Sequence, residues 1–266
     1  MITSNFLIFG RGYTKSFPLQ PEYQDVLDRA FDLGFTLPDA EHQRIDNNRI
    51  YFLKQLELWN EFDTIYFFDK SSLYSNFTRL NQKNPSIVSR VGYLDSPVQP
   101  SFVSGSGWTG GGGGYWLGPT PSLHSVKALP GNVSVFYHQF GFTNAASAVW
   151  GTRNGSTNNF AASNSACQLH SGSIAGTGGY TLNANILQVK NGNTHNKYVD
   201  GVLTNTASYV SSGALSTVPL ALLGNNLNGT VGQFVTTSGL KYRLEGSKNL
   251  EAFNTEINKI INNTYE

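Results

Sequence analysis

One cysteine, Cys167, is present among 266 residues, so no internal disulfide can form. The five histidines, His42, His124, His138, His170 and His195, show neither a helical i, i+4 pair nor any zinc-ligand spacing with that cysteine. Charge is sparse and balanced: 18 basic and 17 acidic residues leave a net +1, without the basic footprint that nucleic acid or an anionic membrane surface requires. No apolar run approaches a membrane span. The first residues, MITSNFLIFGRGYTKSF, lack the basic start and apolar stretch of a secretory signal, so the expectation is cytoplasmic synthesis as a soluble chain without membrane insertion.

Carboxylates are the most informative shortage. Between Asp95 and Glu245 there is one, Asp200, in a Tyr-Val-Asp-Gly turn where aspartate has a conformational reason to be. Glycoside hydrolysis normally needs two carboxylates, and calcium usually takes several, so a polysaccharide-active enzyme is the remotest reading and no metal or cofactor is expected. No Gly-x-Ser-x-Gly elbow is present either. His138 and His170 alternate with apolar neighbours in expected strands and read as packed residues, and Cys167 reads as a small buried apolar group.

What the chain does have is 39% hydrophobic and 13% aromatic residues, enough for a sizeable core. Its charges divide it in two: residues 1–100 hold 22 of the 35, and residues 101–240 hold only Lys127, Arg153, Lys190, Lys197 and Asp200. In the first part, Pro21 starts a helix with Tyr23, Val26, Leu27, Ala30 and Phe31 on one face, and Gly34 stops it. A second helix begins near Pro38-Asp39, carries Ile45, Arg49, Phe52, Leu53 and Leu56 along one side, and ends before Trp59; Phe62–Phe68 then reads as a buried strand. Two helices and a strand close no core alone, so this lead, residues 1–95, is expected to pack on the remainder of the chain.

Residues 96–266 alternate short apolar segments with turn signals. Strands are expected at 102–109, 115–119, 132–142, 148–152, 159–162, 166–171, 185–190, 197–204, 220–223 and 231–236. Asn154-Gly155, Asn191-Gly192, Asp200-Gly201 and Asn228-Gly229 suit tight hairpins. The class is mainly β, an antiparallel jelly-roll sandwich, closed by an amphipathic helix over 249–263 that aligns Leu250, Phe253, Ile257, Ile260 and Ile261.

Five glycines at 110–114 stand between Trp108 and Tyr115-Trp116. They form no dinucleotide fingerprint, since no helix follows, and no Walker loop, since no Gly-Lys-Ser/Thr closes them. With strand candidates on both sides they read as a hairpin connection. Trp108, Tyr115, Trp116 and Trp150 are the candidate site residues: they could stack on sugar rings while Asn and Ser side chains bond hydroxyls. The alternative, which outweighs it, is that these rings fill the space between two sheets.

The front segment, PEYQDVLDRAFDLGFTLPDAEHQRIDNNRIYFLKQLELWNEFDTIYFFD, followed by FTRLNQKNP, resembles the helical lead of virion proteins from tailed phages that infect Bacteroidota. The pieces FVSGSGWTGGGGGYWLGPTPSL, NVSVFYHQF, AVWGTRNGSTNNF, KYVDGVLTNTAS, PLALLGNNLNGT and LEAFNTEINKIIN resemble their concanavalin A-like, laminin G-like jelly roll. The glycine run is more extreme than the mixed turn found at that place. This resemblance implies a non-enzymatic virion component of the tail, baseplate, neck or a head fibre, located in the particle and made in the host cytoplasm. Its implied partners are other virion proteins and further copies of itself. A carbohydrate-binding module recognising host cell-surface glycan or mucus is the alternative. The resemblance names no catalytic or metal residue.

Overall fold

The computed structural model describes residues 17–91, 100–110, 116–117, 127–141, 148–154, 158–163, 167–171, 181, 183–211, 218–223, 225–227, 230–233 and 239–265. Helix α1 (Pro21–Asp32) starts on its proline and ends where Gly34, at φ +67°, lets the chain turn back so that Gly34 and Phe35 amides bond the last helical carbonyls. Tyr23, Val26, Leu27 and Ala30 are buried as expected, but Phe31 lies 75% exposed, one position off the stripe. Helix α2 (Ala40–Gln55) is capped by Asp39, whose carboxylate accepts the His42 amide at 2.9 Å.

Strand β1 (Phe62–Phe67) leaves the lead and pairs antiparallel with β16 (Gly239–Gly246). On that same edge of β16, Gly239 and Leu240 pair with β4 (Gly107–Thr109), so β1 occupies the length that β4 leaves open. The lead is thereby built into the sandwich by backbone hydrogen bonds. The full inner sheet runs β12 (Val202–Ser208), β11 (Thr194–Val199), β10 (Ala184–Asn191), β6 (Asn132–Phe140), β16, β4 and β3 (Ser101–Val103), with β1 as its eighth strand.

The outer sheet follows β15 (Thr230–Gln233), β14 (Asn225–Leu227), β7 (Ala148–Asn154), β13 (Ala221–Leu222), β5 (Trp116–Leu117) and β2 (Arg90–Val91), with β8 (Asn158–Ser163) and β9 (Cys167–Ser171) added through β7. Pairing is antiparallel apart from β14 on β7. The molecule is an antiparallel β-sandwich of jelly-roll type with helices on one side.

The middle strands of the inner sheet, β1, β6, β10 and β16, are covered on both faces, whereas its edge strand β12 is exposed. Ile65, Phe67, Phe136, Leu187, Val189, Tyr242 and Leu244 meet α1, α2 and the closing helix α3 (Asn254–Ile261), whereas Tyr66, Phe68, Val133, Val135, Tyr137, Ile186 and Leu240 meet the outer sheet. Alternation along β1, β6 and β10 produces this division. In β16 a bulge between Leu240 and Tyr242 switches the faces, which turns Arg243 and Glu245 toward the outer sheet.

Further sequence expectations are corrected, among them the strand at 197–204, which divides at Asp200-Gly201 into β11 and β12. The segment 102–109 is a hairpin of β3 and β4 turning at Gly105, φ +72°, and not one strand. The closing helix opens with a tight helical turn over Lys248–Phe253, capped by Ser247, before α3 begins. The glycine run is not a hairpin connection. Both edges of β4 are taken, by β3 and β16, so β5 pairs in the other sheet and the run joins one sheet to the other. Its own residues 111–114 lie outside those described.

Candidate functional site

Of the four aromatic candidates, two are placed in the core between the sheets. Trp108, on β4, is buried edge-on against Phe102 with centroids 5.2 Å apart, and its indole N–H donates to Thr78 Oγ1 at 3.0 Å. Trp150, on β7, is 0% exposed, wedged between Tyr137 (5.8 Å) and Phe160 (5.1 Å), with the Arg243 guanidinium 5.0 Å from its ring centroid. Neither ring faces solvent, so both take the packing alternative. Trp116 lies in β5, opposite Leu222 and Val91. Tyr115 lies outside the described residues. Trp108 and Trp150 sit in different sheets, and no exposed platform is assembled from them.

The sandwich interior holds chemistry that the sequence did not suggest. Two of the five charges of residues 101–240, Lys190 and Lys197, point inward from β10 and β11 and are buried, joined by the Arg243–Glu245 pair at 2.6 Å. Lys190 Nζ donates to the Tyr209 carbonyl at 2.6 Å and lies 3.9 Å over the Tyr209 ring; burial lowers its pKa to about 8. His195 bridges Gln188 Oε1 (2.9 Å) and the Tyr209 hydroxyl (2.8 Å), and burial, helped by Lys190, brings it down to about 3. His170 stacks on Phe160 at 4.5 Å and is likewise pushed to about 3 by burial. The Cys167 thiol is buried too, which drives its pKa far up. These groups close on one another. Glu245, the carboxylate of this layer among the described residues, is tied to Arg243 and has no second carboxylate opposite it to make an acid–base pair.

A second polar constellation joins the helices. Arg49 of α2 holds Asp69 through two bonds, at 3.0 and 2.6 Å, and donates to the Ile261 carbonyl at the end of α3 at 2.7 Å. Lys70 Nζ lies 2.7 Å from Asp46 and 3.1 Å from Asp69. Burial works against ionising Asp69, but Arg49 and Lys70 outweigh it and hold its carboxyl far below the usual range. Asp46 is shifted upward, because its burial is only partly offset by Lys70 and Arg49.

Beside this network, between α2 and α3, lies a shallow hollow with room for about one water molecule. Arg44, Asn48, Arg49 and Phe52 line it from α2, and Ile260 and Tyr265 from the end of the chain. Its rim is aromatic: Phe52 packs on Phe17 (5.2 Å) and Tyr265 (4.8 Å), and Phe17 stacks on Tyr51 (4.1 Å). All four rings are half-buried. Arg44 spends two donors on Glu41, at 2.9 and 2.7 Å, yet its Nη1, the Asn48 Oδ1 and the Arg49 Nε are buried without a partner. The sequence signal is Arg49 falling in the apolar stripe of α2; Arg44 and Asn48 carry no such signal.

Among the described residues no trio of His, Cys, Asp or Glu converges as a metal site, and no helix is long and apolar enough to cross a membrane. No protein-family model and no curated protein matches the chain. Solved structures do. The receptor-binding domain of a botulinum neurotoxin C/D mosaic serotype aligns with a TM-score of 0.50 at 11% identity, over 77% of this chain and 52% of that one. Domain 4 of a GH43 extracellular arabinanase from Geobacillus stearothermophilus, solved with arabinotriose, gives 0.46 at 11% identity over 74% and 98%. A mutant Trypanosoma rangeli sialidase displaying trans-sialidase activity gives 0.47 at 9% identity over 84% and 40%. The chain thus spans about half the length of the toxin domain and less of the sialidase. At 11% identity the likeness to the toxin domain speaks for the sandwich fold alone.

Proposed function

We propose that this chain is a non-enzymatic structural component of a tailed-phage particle, a jelly-roll body whose helical lead is fastened to it. The observation that carries the reading is the double cover of the middle strands of the inner sheet: helices on one face and the outer sheet on the other leave neither face of those strands open to a ligand. Interior charges are spent on internal pairs, so what the molecule presents is its outer surface and loops. The resemblance of the lead and sandwich motifs to virion proteins supplies the particle. The test is mass spectrometry of gradient-purified phage from a lysate carrying this gene. Peptides of the chain should band with the particles in stoichiometric amounts; recovery only from the unbanded soluble fraction would refute the proposal.

A second reading, a carbohydrate-binding role toward a host glycan, is favoured by one observation. The hollow between α2 and α3 combines half-buried aromatic rings with unpaired polar groups, the two ingredients of sugar recognition. A glycan array with the full chain tests it: a blank array at millimolar ligand would remove it.

A further inference from the structure

We infer that β12 is a self-pairing edge, through which two copies of this chain join their inner sheets, β12 antiparallel to β12 about a two-fold axis at Ala207. β12 ends the inner sheet, and no described strand lies beyond it. With seven residues it is the longest such edge among those described, against five in β9, four in β15, three in β3 and two in β2. The β9 edge is also blunted, since its Leu169 amide donates to the Tyr209 hydroxyl at 3.1 Å. On β12 every residue is exposed except Ala207, which is half-buried, and Val202 to Val210 holds neither a charge nor a proline, the common guards of an unpaired edge. One guard is present, a bulge at Thr204, whose hydroxyl donates to the Lys197 carbonyl at 3.2 Å.

Backbone direction selects the register. The Tyr209 amide donates to the Asn193 carbonyl at 2.9 Å, so Tyr209 turns its backbone groups toward β11. Along an antiparallel strand these groups alternate in direction, and the ladder is regular from Lys197 opposite Asn205 to Thr194 opposite Ser208. Asn205 and Ala207 therefore also face β11, while Thr206 and Ser208 aim amide and carbonyl at the open edge. A second β12 centred on Ala207 sets Thr206 of each copy opposite Ser208 of the other. Each of these two pairs exchanges two bonds, so every outward amide and carbonyl of Thr206 and Ser208 finds a partner. Centring on Thr206 instead would set Ser208 against the bulge at Thr204. On the Ala207 axis the two methyl groups meet as a close, non-hydrogen-bonded pair with Cα atoms about 4.5 Å apart, and no charge on either strand repels the other. The pairing occupies both edges at once and so closes as a dimer. Its regular part, Asn205 to Tyr209, is about 17 Å long, which places the contact among small interfaces of roughly micromolar strength. This contact follows from the free edge and stands or falls apart from the particle reading.

Sedimentation velocity of the full chain at about 5, 50 and 500 µM tests this. The chain should shift from monomer toward dimer across the series; a monomer throughout, or a ladder of larger species, would overturn the closed pair. Thr206→Pro removes an outward amide and leaves the inward bonds, a place where an edge strand tolerates proline. It should weaken dimerisation by about tenfold or more while Tm stays within a few degrees, and an undiminished dimer would put self-association on another face. Ala207→Cys reads the register without relying on that variant. Mild oxidation at about 50 µM should link two copies by a disulfide, because the facing Cα atoms lie within bridging range. The parent chain, whose one cysteine is buried, should stay unlinked. Thr206→Cys that links more readily than Ala207→Cys would overturn the axis at Ala207.

Discussion

Replacing Trp150 by alanine separates a packed core residue from a ligand platform, and the structure fixes the size of the effect. A buried tryptophan hides about 200 Å², and truncation to alanine removes on the order of 150 Å² of that, about 4 kcal/mol at 25 cal/mol per Å². The guanidinium of Arg243, 5.0 Å from the ring centroid, loses a contact worth about 1 kcal/mol. Against this, the Trp150 indole N–H is buried without a partner, and freeing it returns about 1 kcal/mol. Trp150→Ala should therefore cost about 4 kcal/mol, a Tm drop of roughly 8 °C for a chain of this size. Trp150→Phe loses less area and also removes the orphaned N–H, so it should stay within about 1 kcal/mol of the parent. Urea unfolding followed by far-ultraviolet circular dichroism reads both. An alanine cost below about 1 kcal/mol, or a phenylalanine cost equal to that of alanine, would refute the packing role of the ring.

The same geometry leads to three further expected outcomes. His170 and His195 are held near 3 by burial, below the usual 6.5, so the unfolded chain takes up protons that the folded one refuses. Their stabilisation is complete above about pH 7 and is lost as pH falls through 6.5 toward 3, by up to about 1.4 kcal/mol per pH unit for each, and a urea midpoint unchanged between pH 7.5 and 5 would contradict this. Cys167 should ignore Ellman's reagent at pH 8 and react fully in guanidinium, since burial keeps its thiol protonated; prompt native reaction would show the sheet interface to be open. Gly246→Ala should destabilise by about 1–3 kcal/mol, because a Cβ there would lie 2.2 Å from the Glu61 carbonyl oxygen, and thermal melting at parent Tm would refute that close approach.

The lead is readable because its signals are local. Pro21, Gly34 and the Tyr23–Val26–Leu27–Ala30 stripe act within one helix, and the Asp200-Gly201 turn, with φ of +47° and +88°, needs only its own two residues. The inner sheet is harder to read. Seven consecutive buried residues from Ala184 to Lys190 include Gln188 and Lys190, and a pattern read for one wet face gives no hint that a lysine there finds a carbonyl and a tyrosine ring from Tyr209. The glycine run misleads for a related reason: which edge a strand finds depends on what already occupies it, and β16, which takes one edge of β4, is remote from residue 116 in any local window. Composition points to the charge-poor aromatics as the site. Arg44 and Asn48 lie in the charged lead, yet they line one hollow with Ile260 of α3, more than 200 residues later.

The placement of β1 also has a mechanical meaning. Phe62, at the start of β1, lies opposite Gly246, at the end of β16, so the two strands leave their ladder from the same side. Tension between the two ends of the chain therefore opens that ladder rung by rung, like a zipper, and does not load all its hydrogen bonds together. The Arg49 bond to the Ile261 carbonyl stands ahead of it as a clasp. Under a pull along the chain, the lead would yield first and the sandwich would stay closed, so the molecule would lengthen before it breaks.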